Sequence, residues 1–192
     1  MSFNSRGASM NAEANELIAA IGRAVSENDD DKTDSLLDQL TRTSLENREP
    51  LDSAIDSILA VLTQTQDPAN NCGFFVFLWL ERVFGELGEM GKSRIKQFVA
   101  ERYGRFSGIV AMEMADFIGG FRDEWGIQVV SDWISRCETF TDDAAGWIDI
   151  AIRELEEESA GTRGDESYYK QVQQLASRFA AKKSALKSSP PG

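Results

Sequence analysis

From Leu17 to Leu175 the apolar residues recur at three- and four-residue intervals, and this one periodicity decides what the chain can fold into. Leu17, Ile18, Ile21 and Val25 mark one face of a helix over 11–27, and Leu36, Leu37 and Leu40 mark a second over 31–43. Leu51, Ile55, Ile58, Leu59 and Leu62 mark a third over 50–65, with Pro50 suited to its first turn. A spacing near 3.6 residues places such positions on one helical stripe, whereas a half-buried strand needs alternation in twos. The sequence offers no such alternation and no Asn-Gly hairpin turn. Asn28-Asp29-Asp30-Asp31 and Asp67-Pro68-Ala69-Asn70-Asn71 read as breaks. The stretch 73–88 is apolar almost all round, which places it at the centre of a core. Further helices are expected over 91–104, 106–121, 124–137, 141–158 and 166–186. The expectation is an all-α protein of about nine helices, built as stacked antiparallel helix pairs or as an irregular bundle. One domain over 10–186, flanked by tails at 1–9 and 187–192, is the natural division.

The chain contains no histidine, which removes the Ser-His-Asp triad, the Cys-His pair, the HExxH zinc site and any imidazole base. Cys72 and Cys137 form no CxxC pair and read as buried free thiols. The most apolar run, Phe74 to Leu80, is seven residues long and too short to span a bilayer. Met1 to Met10 carries no signal-peptide pattern, so a cytoplasmic, reducing location is expected. The net charge is −12, of which −8 falls in residues 1–71, −1 in 72–137 and −3 in 138–192. Such a field repels nucleic acid and anionic membrane and attracts a basic protein surface. No cofactor is expected.

The second half of the chain repeats itself. Val83-Phe84-Gly85-Glu86-Leu87 aligns with Phe117-Ile118-Gly119-Gly120-Phe121 at a shift of 34, and the same shift gives Ala151-Ile152-Arg153-Glu154-Leu155. Glu89-Met90-Gly91 aligns with Glu124-Trp125-Gly126 at a shift of 35, as do Ile95, Phe98 and Val99 with Val130, Trp133 and Ile134. Val172, Leu175 and Ala176 fill these places in a third copy, after a longer connection through Gly161-Thr162-Arg163-Gly164. Residues 74–186 thus read as three helix pairs following an acidic N-terminal part, 10–71. This layout resembles HEAT-like helical repeats, and less closely the armadillo and tetratricopeptide kinds. The resemblance implies stacked pairs that bury a continuous core, and a protein-binding role. The period is shorter than the usual HEAT length of about 40. Of the HEAT turn residues only Arg122 and Asp123 have counterparts, and the tetratricopeptide pattern fits at no offset. The three helices of 10–71 leave one helix unpaired, or require the packing to change at residue 72.

Four groups of residues could carry chemistry. Asp30, Asp31 and Asp34 form a DDxxD string able to offer oxygen ligands to Mg²⁺, and the same acids suit a helix start. Glu154 and Glu157 form half of an ExxE site, in a run that continues with Glu156 and Glu158. Lys92, Arg94, Lys96, Arg102 and Arg105 make a basic strip with Glu101 as its one acid, a candidate wall of a protein-binding surface. Trp125, in a turn, is a candidate binding anchor or a cap over its helix pair, and Trp147 is ambiguous, while Trp79 and Trp133 fall on inward stripes. Gly85 and Gly119 imply close helix approach. The leading expectation is a non-catalytic adaptor or scaffold that binds another protein. The alternatives are an acidic inhibitor or immunity-type protein that neutralises a basic partner, and a Mg²⁺-dependent phosphohydrolase or transferase.

Overall fold

The computed structural model describes residues 12–47, 51–65, 70–106, 108–136, 142–157 and 166–187. Among them are nine α-helices and no strand: α1 (Ala12–Ser26), α2 (Asp30–Asn47), α3 (Asp52–Leu62), α4 (Cys72–Phe84), α5 (Glu89–Arg102), α6 (Gly108–Gly120), α7 (Glu124–Arg136), α8 (Asp142–Glu156) and α9 (Glu166–Lys187). Single 3₁₀ turns, Thr63–Thr65 and Tyr103–Arg105, extend α3 and α5. The fold is all-α, as the periodicity predicts. Pro50, Cys137, Glu158, the Gly161–Gly164 connection, the tail 1–9 and residues 188–192 lie outside the described residues, and Lys187 closes α9.

The helix boundaries have local causes. α1 ends because Asn28 adopts φ +55, a left-handed conformation that asparagine tolerates better than most residues. Its N–H and that of Asp29 then donate to Val25 O (3.1 Å) and Ala24 O (3.0 Å), the pairing of a Schellman cap. Asp29 at once starts α2, its Oδ1 accepting from the Lys32 N–H at 3.1 Å. α2 runs four residues past the expected end. Leu40 is its last buried apolar residue, and the extra turn is carried by buried Thr43 and Ser44, which no apolar pattern reports.

The chain divides into two compact units, 1–110 and 111–192, with the boundary inside α6 and so within the expected run of helix pairs. In the first unit α1, α3 and α5 pack in order, α2 packs on α4, and the two rows meet through α1–α2, α3–α4 and α4–α5. α3 is therefore not an unpaired helix: it packs on α1, α4 and α5, and no change of scheme occurs at residue 72. Isoleucines, leucines, valines and aromatics fill this core, with Ile21, Leu37, Leu40, Ile55, Ile58, Leu62, Phe77 and Trp79 almost wholly buried. The Trp79 indole N–H donates to Thr41 Oγ1 on α2 at 2.8 Å. α4 is central on one side only, since Phe74, Phe75, Leu78 and Phe84 remain half-exposed.

In the second unit α7, α8 and α9 pack mutually around Val129, Val130, Trp133, Ile134, Ile148, Leu155 and Leu175. α6 joins them through glycine. A Cβ on Gly119 would lie 2.6 Å from Ala151 O on α8, and one on Gly126 would lie 2.7 Å from Ile118 O on α6. Gly85 differs from its counterpart Gly119: it follows the end of α4 and has nothing within 4 Å, so it reflects no close helix approach.

Candidate functional site

Helix ends in this protein are tied down by side chains from elsewhere in the chain, and the clearest case builds a site. α5 begins at Gly88, whose missing side chain leaves the helix without a cap of its own. Asp52, in the first turn of α3, supplies it. Its Oδ2 accepts from the Gly88 N–H at 3.0 Å and its Oδ1 from the Gly91 N–H at 2.9 Å. A carboxylate at this position also faces the positive end of the helix dipole. One turn further along each helix, Arg94 Nη1 meets Asp56 Oδ2 at 2.9 Å. The matching order of these contacts shows that α3 and α5 run parallel.

From Asp56 onward the two helices line an open cleft of about 440 Å³. Its α3 wall is Asp56, Leu59, Ala60 and Thr63, one helical stripe, and its α5 wall is Arg94, Gln97, Phe98, Glu101 and Arg102, another. Leu59, Ala60 and Phe98 make an apolar floor. The Arg102 guanidinium carbon stands 5.6 Å from the centre of the Phe98 ring, within cation–π range. Phe98 is backed by Phe106, ring centres 6.2 Å apart. The Gln97 amide donates to Glu101 Oε1 at 2.8 Å.

Of the five basic residues singled out in the sequence, Arg94 and Arg102 line this cleft and the other three do not. Lys92 stands 4.0 Å from Glu89, Lys96 is half-buried on another side of α5, and Arg105 is exposed in the 3₁₀ turn that follows. Asp52 and Asp56 were not legible as site residues, because acids on the outer side of an amphipathic helix read as solvated. One signal was available: a helix start with glycine and no Ser, Thr, Asp or Asn needs a cap from somewhere else.

Trp125 belongs to the second unit and lies in the first helical turn of α7 rather than in a turn between helices. It is half-buried, edge-on to Phe121 (5.1 Å, 85°) and Phe117 (6.4 Å, 81°), and so covers the end of α6. The adjoining Arg122, at φ +48, donates from Nε to Glu154 O at 3.2 Å, capping the last turn of α8, and reaches Glu157 at 3.3 Å. The Tyr168 hydroxyl donates to the neighbouring Leu155 O at 3.1 Å, and burial raises its pKa to about 12. Lys182 and Arg178 on α9 likewise serve the end of α7, Lys182 at Ile134 O and Ser135 O, and Arg178 at the Ser131 and Ser135 hydroxyls. Trp147 is half-buried on α8.

The acidic strings do not converge. Asp30 accepts from the Cys72 thiol (3.4 Å), Asp34 pairs with Arg82 (3.5 Å), and Asp31 points to solvent. Glu154 meets Arg153 and Glu157 meets Arg122. Among the described residues no three His, Cys, Asp or Glu side chains are grouped to hold a metal ion. Cys72 is a buried free thiol whose pKa is raised by burial, with the Asp30 carboxylate pushing the same way. No described helix is long and apolar enough to cross a membrane. No known protein family, curated protein or solved structure matches this chain.

Proposed function

We propose that the chain is a non-catalytic protein-binding module, an adaptor or scaffold that presents the α3–α5 cleft to a partner. The observation that carries this reading is the cleft itself, an apolar floor at Leu59, Ala60 and Phe98 between charged walls on two parallel helices. Apolar centres with charged rims are the usual composition of protein-binding surfaces. Packing between helices that are neighbours or next neighbours in chain order supports the HEAT-like reading, in which each pair needs the next to cover its apolar face. The test is photo-crosslinking in native lysate from a benzoylphenylalanine at Ala60, compared with one at the exposed Glu16 on α1. A discrete adduct from position 60 that position 16 does not give is expected. Equal, diffuse labelling at both positions refutes the reading.

A second reading has its own observation. The net charge of −12 suits an inhibitor of a basic protein. In that case the discrete adduct forms at the acidic α1–α2 surface instead, and it disappears as salt screens the attraction.

A further inference from the structure

We infer that the α3–α5 cleft takes an acidic, amphipathic peptide segment, with carboxylates on Arg94 and Arg102 and one large apolar side chain on the Leu59–Ala60–Phe98 floor. The inference rests on the protein-binding reading and names the chemistry of the partner. Its first support is charge. Residues 92–105 carry five basic side chains and one acid, in a chain whose net charge is −12. Of these, Arg94 and Arg102 line the cleft beside Glu101, so its α5 wall is the cationic side, and the α3 wall opposite carries Asp56. A long polyanion such as RNA, or a sheet of anionic lipid, meets the repulsive field of the whole chain. A short acidic segment laid on the α5 wall reaches Arg94 and Arg102 directly and feels the distant acids of the chain only weakly, since charges further than about 8 Å are screened at physiological salt.

The second support is the state of the arginines. Arg102 has no carboxylate partner among the described residues. Its guanidinium lies near the Phe98 ring, which orders the side chain while its N–H edge can still grip a carboxylate in the bidentate manner. Arg94 is paired with Asp56, but that carboxylate is 64% exposed. A surface pair of this kind contributes about 0–1 kcal/mol, so a ligand carboxylate can replace Asp56 at little cost. Glu101, the one acid of the α5 wall, is held by the Gln97 amide one turn back on the same helix and keeps its charge. The third support is shape. The cleft is open along two parallel helices and its floor is apolar, so it suits a side chain carried on an extended or helical segment.

The test is selection from a displayed random 16-residue peptide library on the full chain, followed by amide chemical-shift mapping with the enriched peptides. The expected pool is rich in Asp and Glu around one aromatic or leucine, and shifts amides of α3 and α5. Arg94→Glu/Arg102→Glu should weaken the pool by roughly 10-fold or more, the sum of two lost pairs and two new repulsions. Ala60→Gln crowds the cleft from an exposed position without touching the core, and should weaken it as well, which guards against misfolding of the charge-reversal variant. A neutral or basic pool, shifts on other helices, or unchanged binding to both variants overturns the inference while leaving a binding module in place. A single-stranded oligonucleotide that binds the cleft more tightly than the peptides, with the same loss on charge reversal, also overturns it. No enrichment at all overturns this inference and leaves the protein-binding reading to the crosslinking test.

Discussion

Replacing Asp52 tests how α5 is held, and the structure fixes the size of the effect. The carboxylate accepts two backbone N–H bonds, at 3.0 Å and 2.9 Å, from a helix start with no cap of its own. Loss of an N-terminal cap costs about 0.5–2 kcal/mol, and loss of a charge facing the helix dipole about 0.3–1 kcal/mol more. Asp52→Ala should therefore destabilise the first unit by about 2 kcal/mol. Asp52→Asn keeps one acceptor and should lose about half as much. The measurement is the denaturant midpoint at unchanged m-value, together with hydrogen exchange of the Gly88 and Gly91 amides, whose protection should collapse. Gly91→Ala sharpens the test, because a Cβ there would lie 2.7 Å from Asp52 Oδ1. In the native background it should displace the carboxylate and destabilise. In the Asp52→Ala background the carboxylate is gone, only Leu87 Cβ at 3.3 Å remains close, and the change should cost much less. A coupling of about 1 kcal/mol or more between the two positions follows. Strictly additive effects, or Gly88 and Gly91 amides that stay protected without Asp52, would refute the reasoning.

Three other outcomes are expected. Thr41→Val removes the acceptor of the buried Trp79 indole N–H and should cost about 1–3 kcal/mol in chemical denaturation, and a cycle with Trp79→Phe should show the two losses to be less than additive. Gly119→Ala places a Cβ 2.5 Å from Glu154 Cβ and 2.6 Å from Ala151 O, and should destabilise the second unit by about 1–3 kcal/mol, whereas Gly85→Ala should be neutral within error. The Tyr168 phenol, raised to about 12, should ionise well above the usual value of about 10 in an alkaline absorbance titration, and Tyr168→Phe should remove a late component. Because its folded pKa lies above the unfolded value of about 10, its contribution to stability is complete below pH 10 and is lost as pH rises towards 12.

Much of the fold was legible because buried leucine, isoleucine and valine set the helical stripes, and those stripes survive in the core: Leu17, Ile21 and Val25, or Ile55, Ile58 and Leu62, sit where the spacing puts them. What escaped was whatever depends on a distant partner. Thr43 and Ser44 are buried near the end of α2 without being apolar, so no stripe reports them. Gly85 and Gly119 occupy the same place in the repeat, yet only Gly119 has a backbone carbonyl waiting across from it. The basic strip was visible as a run of charge, but a linear run says nothing of direction, and only Arg94 and Arg102 turn into the cleft. The acids that complete or brace it, Asp56 and Asp52, gain their meaning from helix α5, some three dozen residues further on.

Some of the ties at the helix ends pass over a whole helix. Asp52 on α3 serves α5, Arg122 before α7 serves α8, and Lys182 on α9 serves α7. The longest-reaching of these, from α3 to α5 and from α9 to α7, skip one helix, linking odd-numbered helices to each other. Insertion of a single helix between such partners would turn the donor's row away from the acceptor's, leaving one carboxylate or ammonium and several helix-end groups without their mates. Insertion of two would restore the register. In the first unit, where α1, α3 and α5 pack in one row and α2 and α4 in the other, keeping the Asp52 tie means adding or removing helices by pairs.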